Sequence, residues 1–243
     1  MHELASFQAY KAETFQLLNL TAGSKVADVG CGTGDDVRKL ASLVGPRGLA
    51  VGYDASEAML QEAAARHGAL EGVRFERADI EALGAADGAF DAVRADRVLI
   101  HVRDPATALR EMLRVLRPGG RIIVCEPDMP GCWVAARDSE MSELLMARIA
   151  GSCAHPYIAR NLYAQFRELG LQDVQLAIKT VTAFTPDSIE QTLRVTQVLG
   201  AMVQGGAVSQ ERAADWAADV AERGRTGRFV AGLSVMVASG TKA

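Results

Sequence analysis

Long apolar runs, runs of basic residues and aromatic side chains are all scarce in this sequence. No stretch reaches the roughly 18–20 apolar residues that a membrane-spanning helix needs, so we expect no membrane span. The opening residues, Met-His-Glu-Leu-Ala, carry an acid and no apolar core, so we expect no signal peptide. Lys and Arg are scattered, the net charge is −4, and aromatic residues make up 5% of the chain. This composition argues against a nucleic-acid partner, which would favour a basic surface and stacking side chains.

Cysteine pairs with the spacing of zinc or redox motifs are also missing. The four cysteines are Cys31, Cys125, Cys132 and Cys153. Cysteines at such irregular spacings are typical of reduced thiols in a cytoplasmic protein. We therefore expect a cytoplasmic location and no metal site.

What the chain does contain is a glycine-rich turn. The apolar run Val26–Val29 is typical of a buried parallel strand. Gly30, Gly32 and Gly34 follow at alternate positions, and a helical pattern starts directly after them. Glycine allows a tight turn close to a ligand, and a helix N-terminus offers unpaired N–H groups. The pattern predicts a binding site for a small polar ligand without identifying that ligand.

Apolar segments alternate with helical patterns along the first half of the chain, which predicts a parallel sheet covered on both faces. Its strands are expected at 25–29, 49–53, 73–78, 89–94 and 121–125. Two later segments, 172–183 and 228–238, alternate apolar and polar residues and predict an antiparallel pair at one edge. The prediction is a doubly wound, mostly parallel seven-stranded α/β sheet with an antiparallel edge strand, in a single domain over 1–243.

Residues 186–224 predict two helices between the last two strands. The first carries an apolar stripe from Ile189 to Met202, and the second runs from a Ser209 cap to Gly224. A helical excursion at this place suggests a cap over the ligand cleft. A peripheral helical pair without ligand contact remains the alternative, since an apolar stripe shows only packing.

Asp54 follows the second strand, 20 residues after Gly34. In a doubly wound sheet, ligands bind at the carboxyl ends of the strands, where an acid can accept both hydroxyls of a ribose. This placement suits NAD as well as other adenosine cofactors. The alternative is an acid favoured by the dipole of the helix that follows.

Five motifs in order resemble those of class I S-adenosylmethionine-dependent methyltransferases, and the pattern of 155–239 resembles their small-molecule branch, of the quinone or natural-product type. They are Asp28-Val-Gly-Cys-Gly-Thr-Gly34, Asp54, Ala78-Asp79-Ile80, Phe90-Asp-Ala-Val93 and Leu116-Arg-Pro-Gly-Gly120. The motif-bearing resemblance covers about residues 5–125. It implies the Rossmann-like methyltransferase fold, S-adenosylmethionine as cofactor and a small-molecule acceptor.

The resemblance also implies cofactor contacts. Gly30, Gly32 and Gly34 would let the backbone approach the methionine part, and Asp28 would lie beneath it. Asp54 would hold the ribose. The resemblance further assigns the adenine to Ala55 or Met59, Asp79 and the Ile80 backbone, and the cofactor amino group to the Arg94 carbonyl. For the cofactor carboxylate, the first helix offers only Tyr10 and Lys11.

Two alternatives to methyl transfer stay open. An NAD oxidoreductase is disfavoured because the third glycine of Gly-x-Gly-x-x-Gly is missing, and because Asp35 and Asp36 at the helix N-terminus would repel a pyrophosphate. A cationic sulfonium would suit these acids better. The other alternative is use of the same fold without methyl transfer, by a cyclase or a regulator.

Candidate acceptor residues follow the fourth and fifth strands. His101 is the candidate base by residue type, unless it only packs near the next helix. Asp96 and Arg97 either take part in catalysis or form an ion pair that orders the loop. Further candidates for substrate contact are Asp128, Trp133, His155, Tyr157 and Arg160, some of which could equally be surface residues. O-, N- and C-methylation are not distinguished, and a homodimer is compatible with the sequence.

Overall fold

The computed structural model describes residues 5–243. Its helices are α1 (Ala5–Leu17), α2 (Asp35–Val44), α3 (Glu57–His67), α4 (Pro105–Val115), α5 (Ser139–Ala150), α6 (Ile158–Glu168), α7 (Pro186–Leu193), α8 (Val195–Gln204) and α9 (Gln210–Arg225). Its strands are β1 (Lys25–Val29), β2 (Leu49–Asp54), β3 (Val73–Arg77), β4 (Phe90–Asp96), β5 (Leu116–Pro127), β6 (Trp133–Val134), β7 (Gln172–Ala183) and β8 (Ala231–Thr241). Residues 1–4, on which the expectation about a signal peptide depends, lie outside the described residues.

The strands form one twisted sheet in the order β3-β2-β1-β4-β5-β8, with β7 paired to β8. Strands β1 to β5 are parallel, whereas β8 is antiparallel to both β5 and β7. The expected α/β fold is confirmed, and β7 forms the edge beside the antiparallel strand. A two-residue strand, β6, also pairs with the start of β8 and brings the sheet to eight strands within residues 5–243.

Helices cover both faces of this sheet. Apolar side chains of α1, α2, α5 and the helices after β7 form one core, and those of α4 and α6 form the other. The start of α4 shows how local sequence sets an element: Asp104 caps the N–H groups of Ala106 and Thr107, and Pro105 occupies the first helical position. The two cores leave the carboxyl ends of β1, β2 and β4 together at one end of the sheet.

The segment after β7 contains three helices in the structure rather than the predicted two. The break lies at Arg194, whose φ of 50° is left-handed and ends α7 before α8 begins. The apolar stripe continues across this break, from Ile189 in α7 to Met202 in α8, which is why the periodicity alone did not show it. The last strand likewise occupies Ala231–Thr241 rather than 228–238.

None of the helices in residues 5–243 is long and apolar enough to cross a membrane. All four cysteines are free thiols. Among the described residues, no group of three or more His, Cys, Asp or Glu side chains is arranged to hold a metal ion.

Candidate active site

The glycine turn connects β1 to α2 and is held against the end of β2. Gly30, Gly32 and Gly34 all have positive φ, at 73°, 54° and 77°. The N–H of Gly30 donates to the Tyr53 carbonyl at 2.7 Å, and the N–H of Gly32 donates to Oδ2 of Asp54 at 2.9 Å. Positive φ at three alternate positions explains why glycine occupies each of them.

The three glycines differ in what surrounds them. A Cβ at Gly30 would lie 2.3 Å from Cγ2 of Val98, and one at Gly34 would lie 2.6 Å from the ring of Phe75. A Cβ at Gly32 would meet no heavy atom within 4 Å. Only Gly32 therefore faces open space, while Gly34 caps α2 and makes room for packing. A role of Gly34 in ligand approach stays a prediction.

The first of two large cavities beside this turn has a volume of about 410 Å³ and is here called the Asp54 cavity. Its lining includes Gly30, Asp54, Ala55, Asp79, Ile80, Arg97 and His101. Oδ1 of Asp54 accepts from the Ser56 N–H at 2.8 Å, and Oδ1 of Asp79 accepts from the Glu81 N–H at 2.9 Å. Both carboxylates are thus oriented by the turns that follow their strands.

Two predicted residues take other places. Met59 is 46% exposed on α3 and is not part of the Asp54 cavity lining, so Ala55 is the member of that predicted pair that reaches the cavity. His101 lines the Asp54 cavity, together with Asp79 and Ile80. Burial lowers the pKa of His101. The role of His101 as the base stays a prediction.

The second cavity has a volume of about 540 Å³ and is here called the Asp96 cavity. Its lining includes Asp28, Asp36, Arg94 and Asp96 from the carboxyl ends of β1 and β4 and the start of α2, with residues of α1 and α7 opposite. Gly30 and Arg97 line both cavities, so the two spaces adjoin at the turn.

A buried charge network forms the floor of the Asp96 cavity. The guanidinium of Arg94, 1% exposed, lies 2.7 Å from Oδ1 of Asp28, 3.1 Å from Oδ2 of Asp36 and 2.7 Å from Oδ2 of Asp96. Burial raises the pKa of Asp28 to about 6, against the opposing effect of Arg94. Because β4 continues to Asp96, Arg94 lies inside the strand rather than at its tip. Its side chain, which the sequence prediction did not consider, holds the three carboxylates together.

Residues of α1 complete this network. Nζ of Lys11 lies 2.9 Å from Oδ2 of Asp36, and the Tyr10 hydroxyl donates to Oδ1 of Asp96 at 2.9 Å. Although burial opposes it, Arg94 and Lys11 hold the pKa of Asp36 below its ordinary value. Tyr10 and Lys11, the candidates for the cofactor carboxylate, are both engaged with protein carboxylates.

The electrostatic argument against a pyrophosphate rested on two uncompensated acids at the start of α2. In the structure, Asp36 pairs with Lys11 and Arg94, while Asp35 lies 3.3 Å from Arg66 and 3.1 Å from His67. Nearby cations neutralise both carboxylates, so that premise is wrong. The sequence showed the acids but not the distant residues that compensate them.

Arg97 lies where the two cavities adjoin. Its φ of 62° is left-handed, which is unfavourable for a residue with a side chain, and its N–H donates to the Cys125 carbonyl at 2.8 Å. The guanidinium stacks on Phe7, 4.8 Å from the ring centroid, and its Nε lies 3.8 Å from Oδ1 of Asp96. The arrangement fits the loop-ordering ion pair that the sequence suggested.

Four of the predicted acceptor residues contact one another or the backbone instead of the cavities. Arg160 binds Asp128 through two hydrogen bonds of 2.7 and 3.0 Å and stacks on Tyr157 at 5.4 Å. The N–H of His155 donates to the Ile100 carbonyl at 3.1 Å. None of the four lines a cavity described here. They attach α6 and the segment before it to the ends of β4 and β5, and their contact with substrate stays a prediction.

Trp133 is the predicted acceptor residue that does line an apolar space, here called the Trp133 crevice. Its walls also include Phe7 from α1 and Ile189 and Leu193 from α7. A Cβ at Gly232 would lie 2.7 Å from the Trp133 ring, so that glycine makes room for the indole. Trp216, by contrast, packs among the later helices and donates to Oγ of Ser142 at 2.9 Å.

Two features of the site were missed from the sequence. Ser188, Gln191 and Thr192 of α7 line the Asp96 cavity, and their i, i+3, i+4 spacing was a detectable signal of one helix face. Glu126 is fully buried, and its Oε1 accepts the N–H groups of Val98 and Leu99 at 2.9 and 2.6 Å. The sequence signal that could have revealed Glu126 was an acidic residue directly after the apolar run of β5.

The sheet order, the glycine turn and the adjoining cavities at the strand ends are those of an α/β protein that binds a nucleoside-type cofactor. A family model described as a methyltransferase domain matches residues 20–193, and the chain belongs to this family. The resemblance to class I methyltransferases is thereby confirmed.

Curated proteins also align with large parts of this chain. The chain is 37% identical over 195 residues to an uncharacterized 37.1 kDa protein in transposon TN4556 of Streptomyces fradiae, covering 79% of this chain and 54% of that protein. It is 42% identical over 125 residues to the ubiquinone/menaquinone biosynthesis C-methyltransferase UbiE of Ectopseudomonas mendocina, covering 50% of this chain and 49% of the relative. The chain thus spans about half the length of these curated relatives.

A solved structure shares the fold. The S-adenosylmethionine-dependent methyltransferase of Thiobacillus denitrificans, solved in complex with S-adenosyl-L-homocysteine, superposes with a TM-score of 0.54 at 20% identity. The superposition covers 94% of this chain and 89% of that chain.

Proposed function

We propose that the protein transfers a methyl group from S-adenosylmethionine to a small organic acceptor. The observation that carries this proposal is the glycine turn, which is tied to Asp54 and lies between two cavities that adjoin at Gly30 and Arg97. An elongated cofactor with a nucleoside at one end and an amino acid at the other suits two such spaces. Membership of the methyltransferase-domain family favours methyl transfer over dinucleotide chemistry.

The residues present suit this cofactor. Gly32 leaves open space where a side chain would stand, and Asp54 and Asp79 line the cavity assigned to the nucleoside. On the floor of the Asp96 cavity, Lys11 and Arg94 hold three carboxylates in a fixed ion-pair network, which gives the cavity a preformed polar floor. The bound cofactor would supply an activated methyl group with a good leaving group.

The chain's own task is then to position the acceptor and exclude water. Phe7, Asp96 and Arg97 line the Asp96 cavity together with residues of α7, and we place the acceptor in this cavity. Helix α7 alone among the helices after β7 contributes to the described cavities, so we assign the role of cap to α7 rather than to all of 186–224. An acceptor of the quinone or natural-product type is part of this proposal, supported by the quinone-modifying relative. The cytoplasmic location also stays a prediction.

Calorimetric titration with S-adenosyl-L-homocysteine and with NAD tests the cofactor. We expect binding of the former, and Asp54→Ala should weaken it by ~1–3 kcal/mol through loss of the ribose hydrogen bonds. Asp215→Asn, at an exposed acid of α9, is the matched control and should bind normally. Because Asp54 also orders the turn, Asp54→Asn and thermal unfolding of each variant separate binding from folding. Binding of NAD but not of S-adenosyl-L-homocysteine would refute the proposal.

Transfer of labelled methyl groups to a panel of phenols, quinols and amines tests the reaction. Methylated products are expected. A protein that binds the cofactor but yields no product across the panel would favour a cyclase or a regulator.

A further inference from the structure

The segment between β4 and α4, residues 97–103, lines part of the cavity that we assign to the nucleoside. Its members in that lining are Arg97, Val98, His101, Val102 and Arg103. Val98 also lies against the glycine turn, because a Cβ at Gly30 would be 2.3 Å from Cγ2 of Val98. The backbone of the 97–103 segment therefore has to be held in place if the cavity and the turn are to keep their shapes.

The start of this segment is held by the end of β5. The N–H of Arg97 donates to the Cys125 carbonyl at 2.8 Å. The next two N–H groups, those of Val98 and Leu99, donate to Oε1 of Glu126 at 2.9 and 2.6 Å. Glu126 is fully buried, so no solvent would replace its oxygen if the side chain were apolar. A buried N–H without an acceptor is costly, so the segment would shift to find another.

The end of the segment is held by Glu81, which directly follows Ile80 in the lining of the same cavity. Oε1 of Glu81 accepts the N–H of Asp104 at 2.9 Å, and Oε2 pairs with the guanidinium of Arg103 at 2.5 Å. The side chain of Glu81 is 8% exposed, whereas that of Arg103 is 86% exposed. Because exposed ion pairs contribute little, the hydrogen bond to the backbone is the stronger attachment. Glu81 thus joins the residues after β3 to the segment before α4.

We propose that Glu126 and Glu81 are positioning residues for the cofactor. Glu126 holds the start of the 97–103 segment, and Glu81 holds its end. With both ends fixed, Val98 stays packed on Gly30, and the cavity is already formed when the ligand arrives, which lowers the cost of ordering on binding. The word cofactor rests on the proposed function, whereas the attachment of the segment does not. Both carboxylates act through the backbone that they hold.

Two substitutions of Glu126 test its part. Glu126→Gln keeps an oxygen that can accept from Val98 and Leu99, whereas Glu126→Met has a similar size and removes the acceptor. In calorimetric titration with S-adenosyl-L-homocysteine, the dissociation constant of Glu126→Met should rise about tenfold, the effect of one to two lost hydrogen bonds. That of Glu126→Gln should stay within about twofold of the wild type. The distinguishing result is rescue by the residue that can still accept.

The same pair of substitutions at Glu81 keeps the proposal testable if Glu126→Met does not fold. Glu81→Met should raise the dissociation constant about five- to tenfold, and Glu81→Gln, which still accepts the N–H of Asp104, should restore most of the affinity. Glu71→Met is the matched control, because Glu71 is an exposed acid in the turn before β3 and lies outside the cavity lining. Its affinity should equal that of the wild type.

Hydrogen exchange measures the attachment of the segment directly and needs no ligand. Glu126→Met should speed up exchange in peptides that cover 97–103 and the glycine turn at 30–34, with no matching change in α9. Trp216→Phe is the control for general destabilisation, because it removes a buried hydrogen bond between α9 and α5. It should change exchange in those two helices and leave both the 97–103 segment and the affinity for S-adenosyl-L-homocysteine as they are.

The outcomes separate this proposal from the proposed function. Equal dissociation constants for the Gln and Met variants at both positions would overturn the proposal, as would exchange that rises uniformly along the chain in Glu126→Met. If the wild type does not bind S-adenosyl-L-homocysteine, the proposed function fails, while the exchange experiment still decides whether Glu126 holds the segment. If the wild type binds it and exchange at 30–34 does not respond to Glu126→Met, the positioning proposal alone fails.

Discussion

Glu126 provides a test of the buried electrostatics at the end of β5. The side chain is fully buried, its Oε1 accepts from Val98 and Leu99, and its Oε2 has no hydrogen-bond partner within the described residues. Burial raises the pKa of Glu126 from 4.5 to about 8, against the opposing effect of the backbone N–H groups. The carboxyl group is thus neutral in the folded protein at pH values where the unfolded chain would ionise it.

The sign of the pH dependence follows from this difference. Between pH 4.5 and about 8 the folded state holds a proton that the unfolded state has released, so stability from this group is lost as pH rises. The whole increase in the pKa of Glu126 corresponds to a loss of ~5 kcal/mol of folding stability. Of this loss, about 3 kcal/mol occurs between pH 5.5 and 8.5. That is a large share of the stability of a typical domain.

Glu126→Gln removes the titration and keeps an oxygen that can accept from Val98 and Leu99. The stability of the variant relative to the wild type should therefore increase by about 3 kcal/mol between pH 5.5 and pH 8.5. Urea unfolding at several pH values measures this difference, and subtracting the two proteins cancels the titrating groups that they share. Glu143→Gln, at an exposed acid of α5, is the control and should show no such divergence. Parallel pH profiles for wild type and Glu126→Gln would refute the buried neutral carboxyl.

Three further predictions concern backbone and packing. Gly34→Ala should destabilise the fold by about 2 kcal/mol or more, because the added Cβ would overlap the ring of Phe75. Gly32→Ala should destabilise it by only ~1 kcal/mol and should mainly weaken cofactor binding. Equal melting temperatures of the two variants would contradict this contrast. Arg97→Gly should be ~1 kcal/mol more stable than Arg97→Ala in chemical denaturation, since only glycine adopts the left-handed φ without strain. A greater stability of Arg97→Ala would show that the backbone at position 97 is not strained. Trp216→Phe should lower the free energy of unfolding by ~1–3 kcal/mol, because Ser142 loses the buried indole N–H that donates to it. If the effects of Trp216→Phe and Ser142→Ala add up in a double-mutant cycle, that hydrogen bond does not contribute to stability.

Local patterns in the sequence were sufficient for the main strands of the sheet and most of its helices. The strands around the sheet and the cap of α4 depend on side-chain periodicity and on residues within a few positions, as at Asp104 and Pro105. The glycine turn was predictable for the same reason, since positive φ at Gly30 and Gly32 reflects local backbone sterics. The break at Arg194 was not predictable, because a single left-handed residue does not interrupt the apolar stripe.

By itself, the sequence determined the order of the five parallel strands, the turn at 30–34 and the acid at Asp54, because each follows from short-range sterics and hydrophobic periodicity. Only the tertiary structure decided which charges remain available to a ligand. Asp28 and Arg94 are 66 residues apart, and Asp128 and Arg160 are 32 apart, yet each pair is in direct contact. Charges separated along the chain compensate one another only where packing brings them within a few ångströms, so the sequence alone could not distinguish Arg160, which is paired, from Arg38, which lines the cavity.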